Sequence, residues 1–119
     1  MIYPNYQSEQ MVPPSLALFS ALLKREGFEI GLFDTTGYKI DTGSGWVDSE
    51  KVKMDNLTVR PFKSVTEAKN SDVFFDLRGK INSFSPDLLL ITATENMFPV
   101  AVKLLNSVED TGIPVILGG

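Results

Sequence analysis

The fold is decided by residues 86–94, Pro86-Asp87-Leu88-Leu89-Leu90-Ile91-Thr92-Ala93-Thr94, where an unbroken apolar run stands between a Pro-Asp pair and two threonines. Successive side chains of a strand point to opposite faces, so such a run indicates a strand that is covered on both sides. Coverage of this kind is typical of a parallel sheet with helices packed on each face. The run therefore predicts a central strand of an α/β domain.

Helical periods and short apolar runs alternate on either side of this strand. Helices are predicted over about 14–26, 72–84 and 98–108, because apolar residues recur there at three or four positions. Strands are predicted at 1–3, 29–34, 87–94 and 113–117. The alternation predicts an α/β, flavodoxin-like (Rossmann-like) fold: a three-layer open parallel sheet with right-handed crossovers and strand order 2-1-3-4.

One domain is expected over residues 1–119, with a long excursion at about 36–70 that shows no sustained period. Residues 38–60 are predicted to be its least regular part, and Ser64 and Glu67 have the spacing of a capping box. The sequence stops directly after Gly118-Gly119, where a fold of this kind normally adds another helix and strand. We therefore expect a truncated domain that is incomplete at its C-terminus.

Composition excludes several classes of function. The net charge is -4, and no cluster of Lys and Arg is present, which argues against nucleic acid as a partner. No apolar run reaches the roughly 18 to 20 residues that cross a bilayer, so no membrane partner and a cytoplasmic location are expected. The absence of Cys and His excludes His-based acid–base catalysis, thiol nucleophiles and Cys-bound iron–sulfur clusters within this chain. We expect this chain alone to bind rather than catalyse.

A ligand crevice is expected at the carboxyl ends of the strands, as in other open parallel sheets. The segments that meet there are 4–11, 34–37, 92–98 and 118–119. Hydroxyls on Thr92 and Thr94 can donate and accept hydrogen bonds, and paired glycines let a bulky ligand approach the backbone.

Residues 86–94, the helix that follows and 113–119 (Ile113-Pro114-Val115-Ile116-Leu117-Gly118-Gly119) resemble the second half of the cobalamin-binding fold. Residues 13–18, the helix to Gly27 and 28–34 are similar to the N-terminal part of that domain in radical S-adenosylmethionine enzymes. The resemblance covers most of the chain except the excursion. It implies a cobalamin (vitamin B12)-binding module, which in the parent protein serves a radical enzyme of the methyl-transfer or cyclisation type.

The resemblance also implies which residues bind the cofactor. The Ser or Thr that contacts the lower nucleotide base of cobalamin matches Thr92, and the second position of that motif matches Thr94. The glycines that make room for the nucleotide tail match Gly118 and Gly119. Pro4 and Asn5, directly after the first strand, complete the predicted cofactor-binding set. No catalytic residue and no protein ligand to a metal is predicted.

One departure from related domains concerns cobalt. Cobalamin domains of the methionine-synthase and mutase type carry Asp-x-His-x-x-Gly after strand one, whose His ligates cobalt, whereas this chain has Gln7-Ser8-Glu9-Gln10-Met11. The radical branch often lacks that motif too. Bound cobalamin is therefore expected to have no protein side chain as its lower axial ligand. The iron–sulfur cluster and S-adenosylmethionine would belong to a radical domain beyond Gly119, which is the expected protein partner.

Simpler interpretations stay open. Thr92 and Thr94 can be strand-end residues that satisfy loop backbone, Gly118-Gly119 can be only a turn, and the whole chain can be a flavodoxin-like interaction domain without a ligand. A nicotinamide site is disfavoured because the Gly-x-Gly-x-x-Gly turn is missing, although Asp34 stands where a ribose hydroxyl would bind. A phospho-receiver is disfavoured because Asn5 and Thr92 stand where acidic residues are needed.

Overall fold

The computed structural model describes residues 1–5, 12–40 and 69–118. Strands and helices alternate along these residues, with a 3₁₀ turn before and after the last helix. The elements are β1 (Ile2–Tyr3), α1 (Pro14–Arg25), β2 (Phe33–Asp34), α2 (Val73–Phe84), β3 (Leu89–Thr92), α3 (Phe98–Asn106) and β4 (Val115–Gly118).

The strands form one parallel sheet with the order β2-β1-β3-β4. The central strand β1 pairs with β2 through Ile2 and Phe33, and with β3 through Ile2 and Ile91. The longest pairing joins β3 and β4 along their full length, from Leu89 to Thr92. The predicted α/β, flavodoxin-like fold and its strand order are confirmed.

The order of the strands determines which face each helix covers. The chain moves one way along the sheet from β1 to β2, and the opposite way from β2 to β3 and on to β4. Right-handed crossovers therefore place α1 on one face and both α2 and α3 on the other. The buried core lies on the face of α2 and α3. Alternate side chains of the strands contribute to this core, as do side chains on the inner faces of the two helices. The strand residues are Ile2, Phe33, Leu89 and Ile91, and the helix residues are Val73, Leu77, Ile81, Val100, Ala101 and Leu104.

The helix ends follow from local chemistry. Pro14 occupies the first turn of α1, where its missing N–H costs nothing, and Asp72 caps α2 by accepting a hydrogen bond from the Phe75 N–H at 2.8 Å. Helix α2 ends at Phe84, and its C-cap residue Ser85 adopts the left-handed conformation (φ 49°). The turn after α3 closes at Gly112 (φ 66°), a conformation that glycine adopts without strain.

Several predicted strands and one predicted helix are longer than the observed elements. Strand two begins at Phe33 rather than Glu29, strand three at Leu89 rather than Asp87, and strand four at Val115 rather than Ile113. The third helix ends at Asn106, before Val108. In each case apolar residues outside the observed segment continue the pattern that the sequence shows. Single hydrogen bonds continue there too, such as the one from the Leu89 N–H to the Pro114 carbonyl at 2.9 Å, but the regular strand or helix has ended.

The two faces of the sheet are covered unequally. Leu89 and Ile91 are buried as predicted, but Leu88 is 40% exposed, and every residue of β4 is exposed. On the face of α1, Ile116 is 56% exposed, and α1 itself buries only Leu16. The packing that holds the described residues together is therefore concentrated on the face of α2 and α3.

The two described ends of the predicted excursion lie side by side. Tyr38 and Lys69 form an isolated parallel bridge, and the Lys69 N–H donates to the Gly37 carbonyl at 2.7 Å. Residues 41–68, which include the Ser64–Glu67 capping box and most of the span predicted to be irregular, lie outside the described residues.

Candidate functional site

The carboxyl ends of all four strands reach one edge of the sheet. Tyr3 lies level with Asp34 in the β1–β2 ladder, and Thr92 lies level with Gly118 in the β3–β4 ladder. Since Ile2 is level with Ile91, Tyr3 and Thr92 are also level. The structure thus brings the segments that begin at Pro4, Thr35, Ala93 and Gly118 to the edge where ligands bind in open parallel sheets.

Thr35 extends the β1–β2 ladder beyond its last backbone rung. The Thr35 N–H donates to the Tyr3 carbonyl at 3.1 Å. Its hydroxyl then takes the place of the next rung, because it accepts from the Asn5 N–H at 2.7 Å and donates to the Asn5 carbonyl at 2.9 Å. Thr35 has no exposed surface, and Asn5 is 1% exposed. One buried hydroxyl therefore fixes the backbone at the end of β1.

A second set of hydrogen bonds holds the side chain of Asn5. Asp34 Oδ1 accepts from both the N–H of Thr36 (2.8 Å) and its hydroxyl (2.6 Å). The Thr36 oxygen in turn accepts from Asn5 Nδ2 at 2.9 Å. Asp34 is therefore engaged by Thr36 within its own turn. The structure gives no support for a nicotinamide site in which Asp34 would bind a ribose hydroxyl.

At the other half of the edge, Thr92 and Gly118 stand side by side. They are register partners, and the Ala93 N–H donates to the Gly118 carbonyl at 3.0 Å. Thr92 is half-buried, and among the described residues its hydroxyl has no hydrogen-bond partner. A Cβ added to Gly118 would meet nothing within 4 Å, so open space borders this backbone.

The remaining predicted residues differ in exposure. Thr94 is exposed and precedes the 3₁₀ turn Glu95–Met97, which it does not cap with its side chain. Pro4 is fully buried, as is Asn5, so both lie beneath the edge rather than on its surface. Gly119 lies outside the described residues.

A polar cluster flanks the β2 side of the sheet. Asp76 on α2 accepts hydrogen bonds from the Tyr38 hydroxyl (2.9 Å) and the Ser71 hydroxyl (2.6 Å). Lys69 contacts Tyr38 twice: its Nζ lies 3.3 Å from the hydroxyl and 4.5 Å from the ring centroid. These contacts fasten residues 38 and 69 to α2. Hydrogen bonds from Ser71 and Tyr38, with the nearby Lys69 charge, lower the pKa of Asp76 below its usual 3.8.

This lowered pKa predicts acid sensitivity. A carboxyl whose pKa is lower in the folded than in the unfolded chain adds stability above the unfolded pKa and loses it as pH falls through the folded value. We expect the free energy of unfolding of the wild type to exceed that of Asp76→Asn near pH 6, and the difference to shrink below about pH 4. Urea unfolding from pH 6 to pH 3 measures this. The pKa of Asp110 is also lowered, by Arg78, but Asp110 is present in both proteins, so its contribution cancels in the difference between their free energies of unfolding. A difference that stays constant with pH would contradict the prediction.

A cavity of about 350 Å³ lies at the opposite, amino edge of the sheet. It is lined mainly by apolar side chains between the ends of α1 and α2, including Phe28, Phe84 and Leu88. Its position does not coincide with any predicted site residue. In the described part of the chain, no three His, Cys, Asp or Glu side chains are grouped to hold a metal ion, and no helix there is long and apolar enough to span a membrane.

Sequence reasoning missed the hydrogen bonds of Thr35 and Thr36. The signal was present in Asp34-Thr35-Thr36-Gly37, since Asp and Thr side chains that follow a strand often bond to nearby backbone. The partner of Thr35 was not visible, because it lies 30 residues earlier in the chain.

Comparisons with known proteins identify no relative. No protein-family model matches the chain, and neither the curated proteins nor the solved structures contain a significant match.

Proposed function

We propose that this domain binds cobalamin at the carboxyl edge of its sheet and serves a radical S-adenosylmethionine enzyme as its cofactor-binding module. The observation that carries the proposal is the pairing of Thr92 with Gly118, which sets a hydroxyl beside an open stretch of backbone. These are the two positions that the resemblance assigns to the lower base and the nucleotide tail.

The residues present fit this group in two respects. The space next to Gly118, which a side chain would fill, suits a bulky tail that lies against the backbone. The Thr92 hydroxyl can donate to or accept from a base nitrogen without giving up another bond in the described residues. When bound, cobalamin supplies a reactive cobalt centre. The chain's own residues bind and orient the cofactor.

The composition bears on which groups could reach the cobalt. These 119 residues contain no His, so none of them could offer an imidazole in place of the lower base. We propose that the slot beside Thr92 and Gly118 would hold the lower nucleotide base, with the Thr92 hydroxyl donating to a base nitrogen. The absorbance spectrum of the complex would distinguish a base held in this slot from one that stays bound to cobalt.

Titration with hydroxocobalamin tests the proposal directly. We expect a saturable change in the cobalamin spectrum and co-elution of the cofactor with the protein on gel filtration. An unchanged spectrum without co-elution would favour the alternative, a flavodoxin-like interaction domain without a ligand.

Two variants locate the ligand. Gly118→Phe should weaken cobalamin binding roughly ten-fold or more by filling the open space, and Thr92→Val should cost about 1 to 3 kcal/mol of binding free energy by leaving a buried partner unpaired. Gly79→Phe and Thr111→Val are matched controls, because Gly79 also borders open space and Thr111 is exposed on the turn after α3. Unchanged affinity in both test variants would show that the ligand lies elsewhere.

A further inference from the structure

We infer that two copies of this 119-residue chain pair through the free edge of β4, in antiparallel orientation, and join their sheets into one. The inference does not depend on the proposed function, because pairing is measured without any cofactor. It starts from the place of β4 in the sheet. Among the described residues, β4 pairs with β3 alone and forms the last strand of the order β2-β1-β3-β4.

The first step concerns the main-chain groups of β4 that β3 leaves unpaired. The Pro114 carbonyl accepts a hydrogen bond at 2.9 Å and the Gly118 carbonyl accepts one at 3.0 Å, both from N–H groups on the β3 side. The N–H and C=O of one residue point to the same side of a strand, and those of the next residue point to the other side. Val115 and Leu117 therefore direct their N–H and C=O groups toward the free edge.

The second step concerns the features that normally keep a sheet edge from pairing, which are charged side chains, proline and a short strand. Residues 113–118 contain no charged side chain. The Pro114 carbonyl faces β3, so the missing N–H of this proline also lies on the β3 side and leaves the free edge intact. At the opposite edge of the sheet, β2 has only two residues and ends at Asp34. The edge of β4 is therefore the one suited to pairing.

The third step concerns the side chains along this edge. Val115, Ile116 and Leu117 are 43%, 56% and 46% exposed, and they alternate between the two faces of the sheet. A strand that pairs with β4 would therefore cover apolar surface on both faces, in addition to satisfying the main-chain groups of Val115 and Leu117.

The fourth step identifies the partner as a second copy. If a two-fold axis passes beside Ile116, an antiparallel copy sets Val115 opposite the partner's Leu117, and Leu117 opposite the partner's Val115. Both members of each pair direct their N–H and C=O to the shared edge, so each pair exchanges both of its hydrogen bonds. Ile116 then lies opposite the partner's Ile116, and every cross-strand pair is apolar. The edge is thus complementary to itself, as a two-fold interface requires.

Sedimentation equilibrium of the whole chain at neutral pH tests the inference. A contact through one short strand is smaller than the roughly 800 Å² that each partner buries in a stable interface, so we expect a weak dimer with a Kd of about 10 to 100 µM. Ile116→Lys sets two like charges opposite each other at the axis and should raise this Kd at least about ten-fold. Phe75→Lys is the matched control, because Phe75 is 76% exposed on α2 and its replacement adds the same charge away from β4. It should leave the Kd unchanged.

Hydrogen exchange of the wild-type amides tests the same edge without any substitution. We expect the Val115 and Leu117 N–H groups to exchange rapidly in dilute solution and to gain protection as the dimer forms. The Ile116 N–H, which faces β3, should be protected at both concentrations.

A chain that stays monomeric up to about 500 µM would overturn the inference, since that concentration exceeds the expected Kd several-fold. A dimer that Ile116→Lys and Phe75→Lys affect equally would overturn it too. Protection of the Val115 and Leu117 amides in dilute solution would show that the edge is covered within a single chain, which also contradicts pairing between copies.

Discussion

Thr35→Val should lower the free energy of unfolding by about 2 to 4 kcal/mol, although valine has nearly the same shape. The Thr35 hydroxyl both accepts from the Asn5 N–H and donates to the Asn5 carbonyl, and both residues are buried. Valine removes both of these hydrogen bonds at once, at a position with no exposed surface. Urea unfolding at neutral pH measures the loss.

Thr35→Ser is the matched control, because it keeps the hydroxyl and removes only a methyl group. We expect it to cost about 1 kcal/mol, the value of one buried methyl. Equal losses in the two variants would mean that Thr35 acts through packing and that its hydroxyl does not continue the β1–β2 ladder.

The order of the strands and helices along the chain could be predicted from sequence because each element shows its own local pattern of apolar residues. The apolar run at Leu88–Ile91 and the helical periods around Leu77 and Leu104 repeat within a few residues, and connections between parallel strands have one hand. These two regularities predict a parallel sheet with helices on its faces, and the strand order was predicted from the flavodoxin-like pattern. Boundaries were less well predicted, since Ile30 and Ile113 continue the apolar pattern outside the ladder.

The site could be predicted only in part, because its contacts join residues that are distant in sequence. The position of Thr92 and Gly118 at one edge follows from the topology, and the structure bears out that placement. The burial of Asn5 does not follow from its neighbours: it depends on Thr35 and Thr36, about 30 residues away. The polar cluster of Tyr38 and Asp76 is likewise a long-range pairing. Side-chain hydrogen bonds of this kind have no sequence period.

The unequal covering of the sheet makes the α2–α3 face the main source of stability. Leu104 is the clearest probe of this face: it has no exposed surface and belongs to the core cluster with Leu89, Ile91 and Val100. Its truncation removes three carbons and leaves a cavity that close-packed neighbours fill only partly.

We expect Leu104→Ala to lower the free energy of unfolding by about 2 to 5 kcal/mol, a large share of the roughly 5 to 15 kcal/mol available to a typical domain. Leu18→Ala on α1 is the control, because Leu18 is 60% exposed and its truncation should cost only about 0.5 kcal/mol. Urea unfolding followed by circular dichroism measures both. Similar losses at Leu104 and Leu18 would show that the face of α1 is packed as tightly as the face of α2 and α3, contrary to the burial that the structure records.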